Sequence, residues 1–77
     1  GLSVQPFAAL ILHVDELSTE DRLESLAGLR EARQALRDQL KAFPPHDGAV
    51  GVALTFMGRQ LELEMETIDA LLQAPRE

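Results

Sequence analysis

Seventy-seven residues with a net charge of −6 and no cysteine allow one small domain whose buried core alone leaves it marginal, with no disulfide or thiolate–metal site to reinforce it. The acidic balance excludes a nucleic-acid surface on this piece, since phosphate contacts need clustered Lys and Arg and the seven basic residues are scattered or set among acids. The apolar run 7–14 lacks a basic leader and is far too short to span a bilayer. A cytoplasmic, all-helical chain that needs a partner is the expectation from composition.

Residues 1–5 read as a lead-in. Pro6 suits the first turn of a helix, where its missing N–H costs little, and a first helix is expected to run on to Leu17. It is apolar almost all round from Phe7 to Val14. A helix without a polar face is buried on most sides, so in a chain this short it predicts a neighbour from outside.

Ser18 is placed to cap a second helix, with Glu20 and Asp21 in the first turn, where the helix dipole favours acids. This helix is expected over 19–43, about 25 residues or roughly 37 Å. Its apolar stripe is Leu26, Leu29, Ala32, Leu36, Leu40 and Phe43. Gly28, Ala32 and Ala35 flank it and would admit a close neighbour. Arg30, Glu31, Arg33, Arg37 and Asp38 read as a solvated, salt-bridged face.

Pro44 and Pro45 end that helix, since neither can donate and each restricts the residue before it. Asp47-Gly48 signals a turn, and so short a connection makes the flanking helices antiparallel neighbours. The third helix, expected over 49–73, carries two apolar faces. Val50, Leu54, Met57, Leu61, Met65, Ile68 and Leu72 recur every three or four residues along one side. At about 100° per residue, Val52, Phe56, Leu63 and Ala70 collect nearly opposite. A helix covering one hairpin partner needs a single stripe, so the second predicts a further contact. Gly51 and Gly58 cost on the order of 1 kcal/mol each against Ala and are read as close-packing positions. Residues 6–74 form one domain on this reading, with 75–77 a frayed tail.

Nothing in the chain spells a catalytic constellation. There is no Ser/His/Asp or Cys/His set, no Gly-rich phosphate loop and no metal spacing, so neither an enzyme nor a cofactor is expected. His13 has Asp15 and Glu16 close in sequence, but residues two and three apart make a poor ligand set; an interface histidine is the reading, and a solvated one for His46. Glu62, Glu66 and Asp69 share a face and are taken as soluble surface rather than acid–base pairs. Glu64 lies at the edge of the main apolar row, within reach of Arg30, Arg33 or Arg37. Met57, Met65 and Phe56 are assigned to packing, with an adaptable effector pocket as the alternative.

The order of parts resembles the C-terminal domain of PadR-like transcriptional regulators. Phe7, Leu10 and Ile11 in the first helix carry the resemblance, with Leu17-Ser18-Thr19-Glu20 and Leu26. It continues through Leu61-Glu62-Leu63-Glu64-Met65-Glu66 to Ile68, Leu71 and Leu72, and covers residues 7–73. The family commonly has a Trp where Thr67 stands, and this chain has no Trp, so an aromatic stacking site does not carry over. The resemblance implies a homodimerisation domain, with DNA bound only through an N-terminal winged helix-turn-helix absent from this sequence.

The expected fold is therefore all-α: a short apolar first helix and a long antiparallel helical hairpin, dimeric. The expected function is homodimerisation, with a small-molecule effector left open. Phe7, Leu10, Ile11, Val14, Val52, Phe56 and Leu63 are the expected interface. The alternative is a stand-alone adaptor taking a partner's amphipathic helix, and a third reading is a small-molecule-binding bundle.

Overall fold

The computed structural model describes residues 6–74; the expected lead-in 1–5 and tail 75–77 lie outside the described residues. These residues form α1 (Pro6–Asp15), α2 (Thr19–Lys41) and α3 (Gly48–Gln73). α2 and α3 pack along each other as a hairpin, and α1 lies against one end of it.

Local chemistry sets each boundary. Pro6 opens α1, and the chain leaves it through two tightened bonds, Glu16 N–H to His13 O and Leu17 N–H to Val14 O, each 3.1 Å. These i−3 bonds end the helix at Asp15, short of the expected Leu17. Ser18 caps α2 as expected, its Oγ accepting from Asp21 N–H at 3.3 Å. α2 stops at Lys41 rather than Phe43. Phe43 precedes Pro44, whose ring disfavours helical backbone there, and its N–H turns back to Leu40 O. The Asp47-Gly48 signal corresponds to a left-handed Gly48 at φ 67°, a conformation that suits a residue without Cβ.

The core sits at the α1 end of the hairpin. Leu26 and Ile68 are fully enclosed, with Val14 beside them, while Phe7, Ile11, Leu29, Leu71 and Leu72 pack around the cluster. Arg22 is buried here too, and its Nη2 donates to Leu71 O at 3.1 Å. That carbonyl belongs to the last turn of α3, where no intrahelical donor remains.

Towards the turn the hairpin is open. Leu36, Phe43, Val50 and Met57 are exposed, although the first two belong to the expected α2 stripe and the others to the main α3 row. α1 spans ten residues and α3 twenty-six, so the short helix covers only one end of the long one. The Cα radius of gyration is 14.8 Å and the thinnest dimension 15 Å. A globular chain of this length would have a radius of about 11 to 12 Å. The molecule is a slab, 46 by 32 by 15 Å, rather than a ball. No described helix is long and apolar enough to cross a membrane.

Candidate functional site

The two faces of α3 have different fates. One packs on α2, with Met65 and Ile68 buried and Leu54, Leu61 and Leu72 partly so. On the other, Val52, Phe56 and Leu63 are 71, 66 and 57% exposed. Such exposure is far above that of a core position. α1 lies along one flank of this outer face and makes a groove of about 860 Å³ with it. Phe7, Ile11 and Leu12 form one wall, and Phe56, Leu63 and Thr67 the other.

Of the seven expected interface residues, Phe7, Ile11, Phe56 and Leu63 meet in this groove. Val52 continues it past Phe56 towards the turn. Leu10 is exposed but does not line the groove, and Val14 is enclosed in the chain's own core and has no surface to offer. Leu12, absent from the expected set, is exposed and lines the groove instead. A helix apolar on every side has no phase in its sequence, so periodicity could not separate Val14 from Leu12.

The charged groups are arranged across the hairpin rather than along one helix. Arg33 Nε donates to Glu64 Oε1 at 2.7 Å, with side chains 15 and 12% exposed. This is one of the three pairings expected of Glu64. Gln60 Nε2 donates to the other carboxylate oxygen at 2.9 Å. The single acid of the groove is thus neutralised where it stands. Arg30 pairs with Asp69 at 2.6 Å and Arg37 with Glu62 at 2.8 Å. The α2 face is salt-bridged as expected and remains partly exposed, with its acids supplied from across the hairpin by α3. Arg30, Arg33 and Arg37 lie close enough to α3 to reach its acids, and Glu62 and Asp69 are spoken for. The hydrogen bond it donates to Asp69, and then the charge of that carboxylate, hold the Arg30 guanidinium above its usual value.

The other candidates are dispersed. His13 is exposed on α1, and no group of three His, Asp or Glu able to hold a metal occurs among the described residues. His46 is exposed with its Nδ1 2.7 Å from Pro44 O, a contact within the turn. Met65 is buried in the core, apart from Met57 and Phe56. Those two line a second, smaller groove of about 350 Å³ with Leu36, Leu40, Phe43 and Leu61. No family model matches the chain, nor does any curated protein or solved structure.

Proposed function

We propose that residues 6–74 act as a helical self-association module, a homodimerisation unit whose contact surface is the outer face of α3 with the flanking side of α1. The observation that carries this reading is the exposure of Val52, Phe56 and Leu63 on the side of α3 turned away from α2. Covering one such side chain contributes about 1.5–3 kcal/mol, and contiguous apolar surface of this kind marks interaction sites. A slab 15 Å thick cannot fold over that surface by itself. A second copy supplies the missing layer, and a symmetric pair is the commonest form of soluble oligomer. The role is mechanical rather than chemical.

The resemblance to PadR-like regulators adds a setting. In it, the pair would hold two DNA-binding domains, carried outside these residues, at a fixed spacing. That setting rests on the residues that carry the resemblance, whereas self-association rests on the open face.

Light scattering at micromolar concentration tests the reading. The expected mass is twice the 8.5 kDa of one chain. Phe56→Asp and Leu63→Asp should each return the mass to that of one chain with helix content kept, because a buried carboxylate costs several kcal/mol. A well-folded wild-type chain of single mass would overturn self-association and favour an adaptor that takes a partner's amphipathic helix in the same groove.

A further inference from the structure

The outer face of α3 has an internal order that its exposure alone does not explain. Val52, Phe56, Arg59, Leu63, Glu66 and Ala70 follow one another at alternating spacings of four and three. At about 100° per residue they occupy a strip roughly 80° wide, on the side away from Met65 and Ile68. A four–three alternation is the spacing by which one helix keeps a continuous seam against another. Four members of the strip are apolar, and the other two carry opposite charges. Arg59 and Glu66 are both exposed, and among the described residues neither is engaged in an ion pair or hydrogen bond. The strip is thus electrically neutral within a chain of net charge −6.

Turned end for end about Leu63, this strip matches itself. Phe56 and Ala70 lie seven residues to either side of Leu63, so a large ring meets a methyl group. Arg59 lies four before it and Glu66 three after, so opposite charges come together. A parallel alignment does the reverse, setting Arg59 against Arg59, Glu66 against Glu66, and ring against ring. Like charges held opposite one another disfavour that arrangement.

We propose that two copies of this chain pair through α3 in antiparallel fashion, with the dyad at Leu63. Phe56 of each copy packs over Ala70 of the other, and two reciprocal Arg59–Glu66 ion pairs frame the centre. The proposal rests on the self-association reading above and adds orientation and register to it. The same dyad brings both α1 helices to one side of the α3 pair, where the exposed Leu12 of each faces the other copy's groove.

The test is a charge-reversal cycle joined to crosslinking. Arg59→Glu and Glu66→Arg should each weaken the dimer by roughly ten-fold to a hundred-fold in Kd, since each breaks two symmetric pairs and creates two like-charge contacts. The double variant should return to within about three-fold of wild type, because the pairs re-form with their signs exchanged. Neither charge has a partner among the described residues, so helix content should hold throughout. The chain has no cysteine, so Leu63→Cys alone should oxidise to a covalent dimer, the two Cα atoms facing within the span of a disulfide of about 7 Å. Phe56→Cys should not crosslink to itself, but should do so when mixed with Ala70→Cys. A wild-type dimer in which Phe56→Cys self-crosslinks, Leu63→Cys does not, or the double reversal fails to restore affinity would overturn this register while leaving self-association standing. A wild-type chain of single mass would remove both.

Discussion

Arg33 donates to Glu64 across 2.7 Å while its guanidinium carbon lies 4.9 Å from the centre of the Phe7 ring. One side chain of α2 therefore ties together α3 through charge and α1 through the face of an aromatic ring. Its two partners, Phe7 and Glu64, both line the groove.

Removing half of this pair should be worse than removing all of it. Glu64→Ala leaves a largely enclosed guanidinium without its carboxylate and should lower stability by about 2–3 kcal/mol. Arg33→Met combined with Glu64→Leu keeps volume and leaves no orphan charge, so its cost should be below about 1 kcal/mol. Urea denaturation at one fixed protein concentration compares the two, the concentration being held because association would shift every midpoint. A double variant as unstable as the single would show that the pair itself, rather than the orphaned charge, carries the energy.

The Arg37–Glu62 pair is a different case. Its side chains are 32 and 49% exposed, so water screens it. Glu62→Gln should cost about 0.5 kcal/mol in dilute buffer. The difference should vanish in about 1 M NaCl, where the screening length falls to roughly 3 Å. Denaturation curves at two salt concentrations read this directly, and a cost that survives high salt would contradict the exposed geometry.

These pairs also mark where sequence reasoning stops. Ser18, Pro6 and Pro44 announce helix ends because capping and ring geometry act within four residues. The two faces of α3 are legible because 3.6-residue periodicity is a property of one helix. The partners of Arg30 and Arg37 are not legible, because an acid four residues away and one across a hairpin read alike until the register is known. The apolar stripes of α2 and α3 run unbroken to the turn, so nothing in them tells that Leu36, Phe43, Val50 and Met57 would stay open. That follows from the shortness of α1. Val14 and Leu12 could not be sorted because α1 has no polar side to set its phase.

The glycines of α3 separate along the same line. A Cβ on Gly51 would lie 2.1 Å from the carbonyl oxygen of His46, whereas one on Gly58 meets nothing within 4 Å. The expected close-packing role therefore holds for Gly51 and not for Gly58. Gly58→Ala should stabilise the chain by up to about 1 kcal/mol through helix propensity. Gly51→Ala should destabilise it, since the contact is with turn backbone that cannot swing aside. Thermal unfolding of the two variants side by side should shift in opposite directions, and a stabilised Gly51→Ala would mean that the 44–48 turn sits farther from α3.

The uneven packing of the hairpin predicts an uneven stability. Leu26 and Ile68 have no exposed surface, and truncating either to Ala leaves a cavity that α1 and the opposite helix cannot fill. Each should cost about 3–4 kcal/mol, a large share of what a domain this small possesses. Leu36→Ala and Val50→Ala remove side chains already half in water, and each should cost below about 1 kcal/mol. Amide hydrogen exchange reads the same gradient without mutation. Residues 22–33 and 61–72, which flank the enclosed cluster, should be protected by the full unfolding free energy, while 36–41 and 49–57 should exchange through local opening. Adding protein until it associates should slow exchange at 52–57 more than at 36–41, because the proposed pair covers the outer face of α3 and leaves the far side of α2 open. Equal slowing at both, or none, would move the contact surface away from Val52 and Phe56.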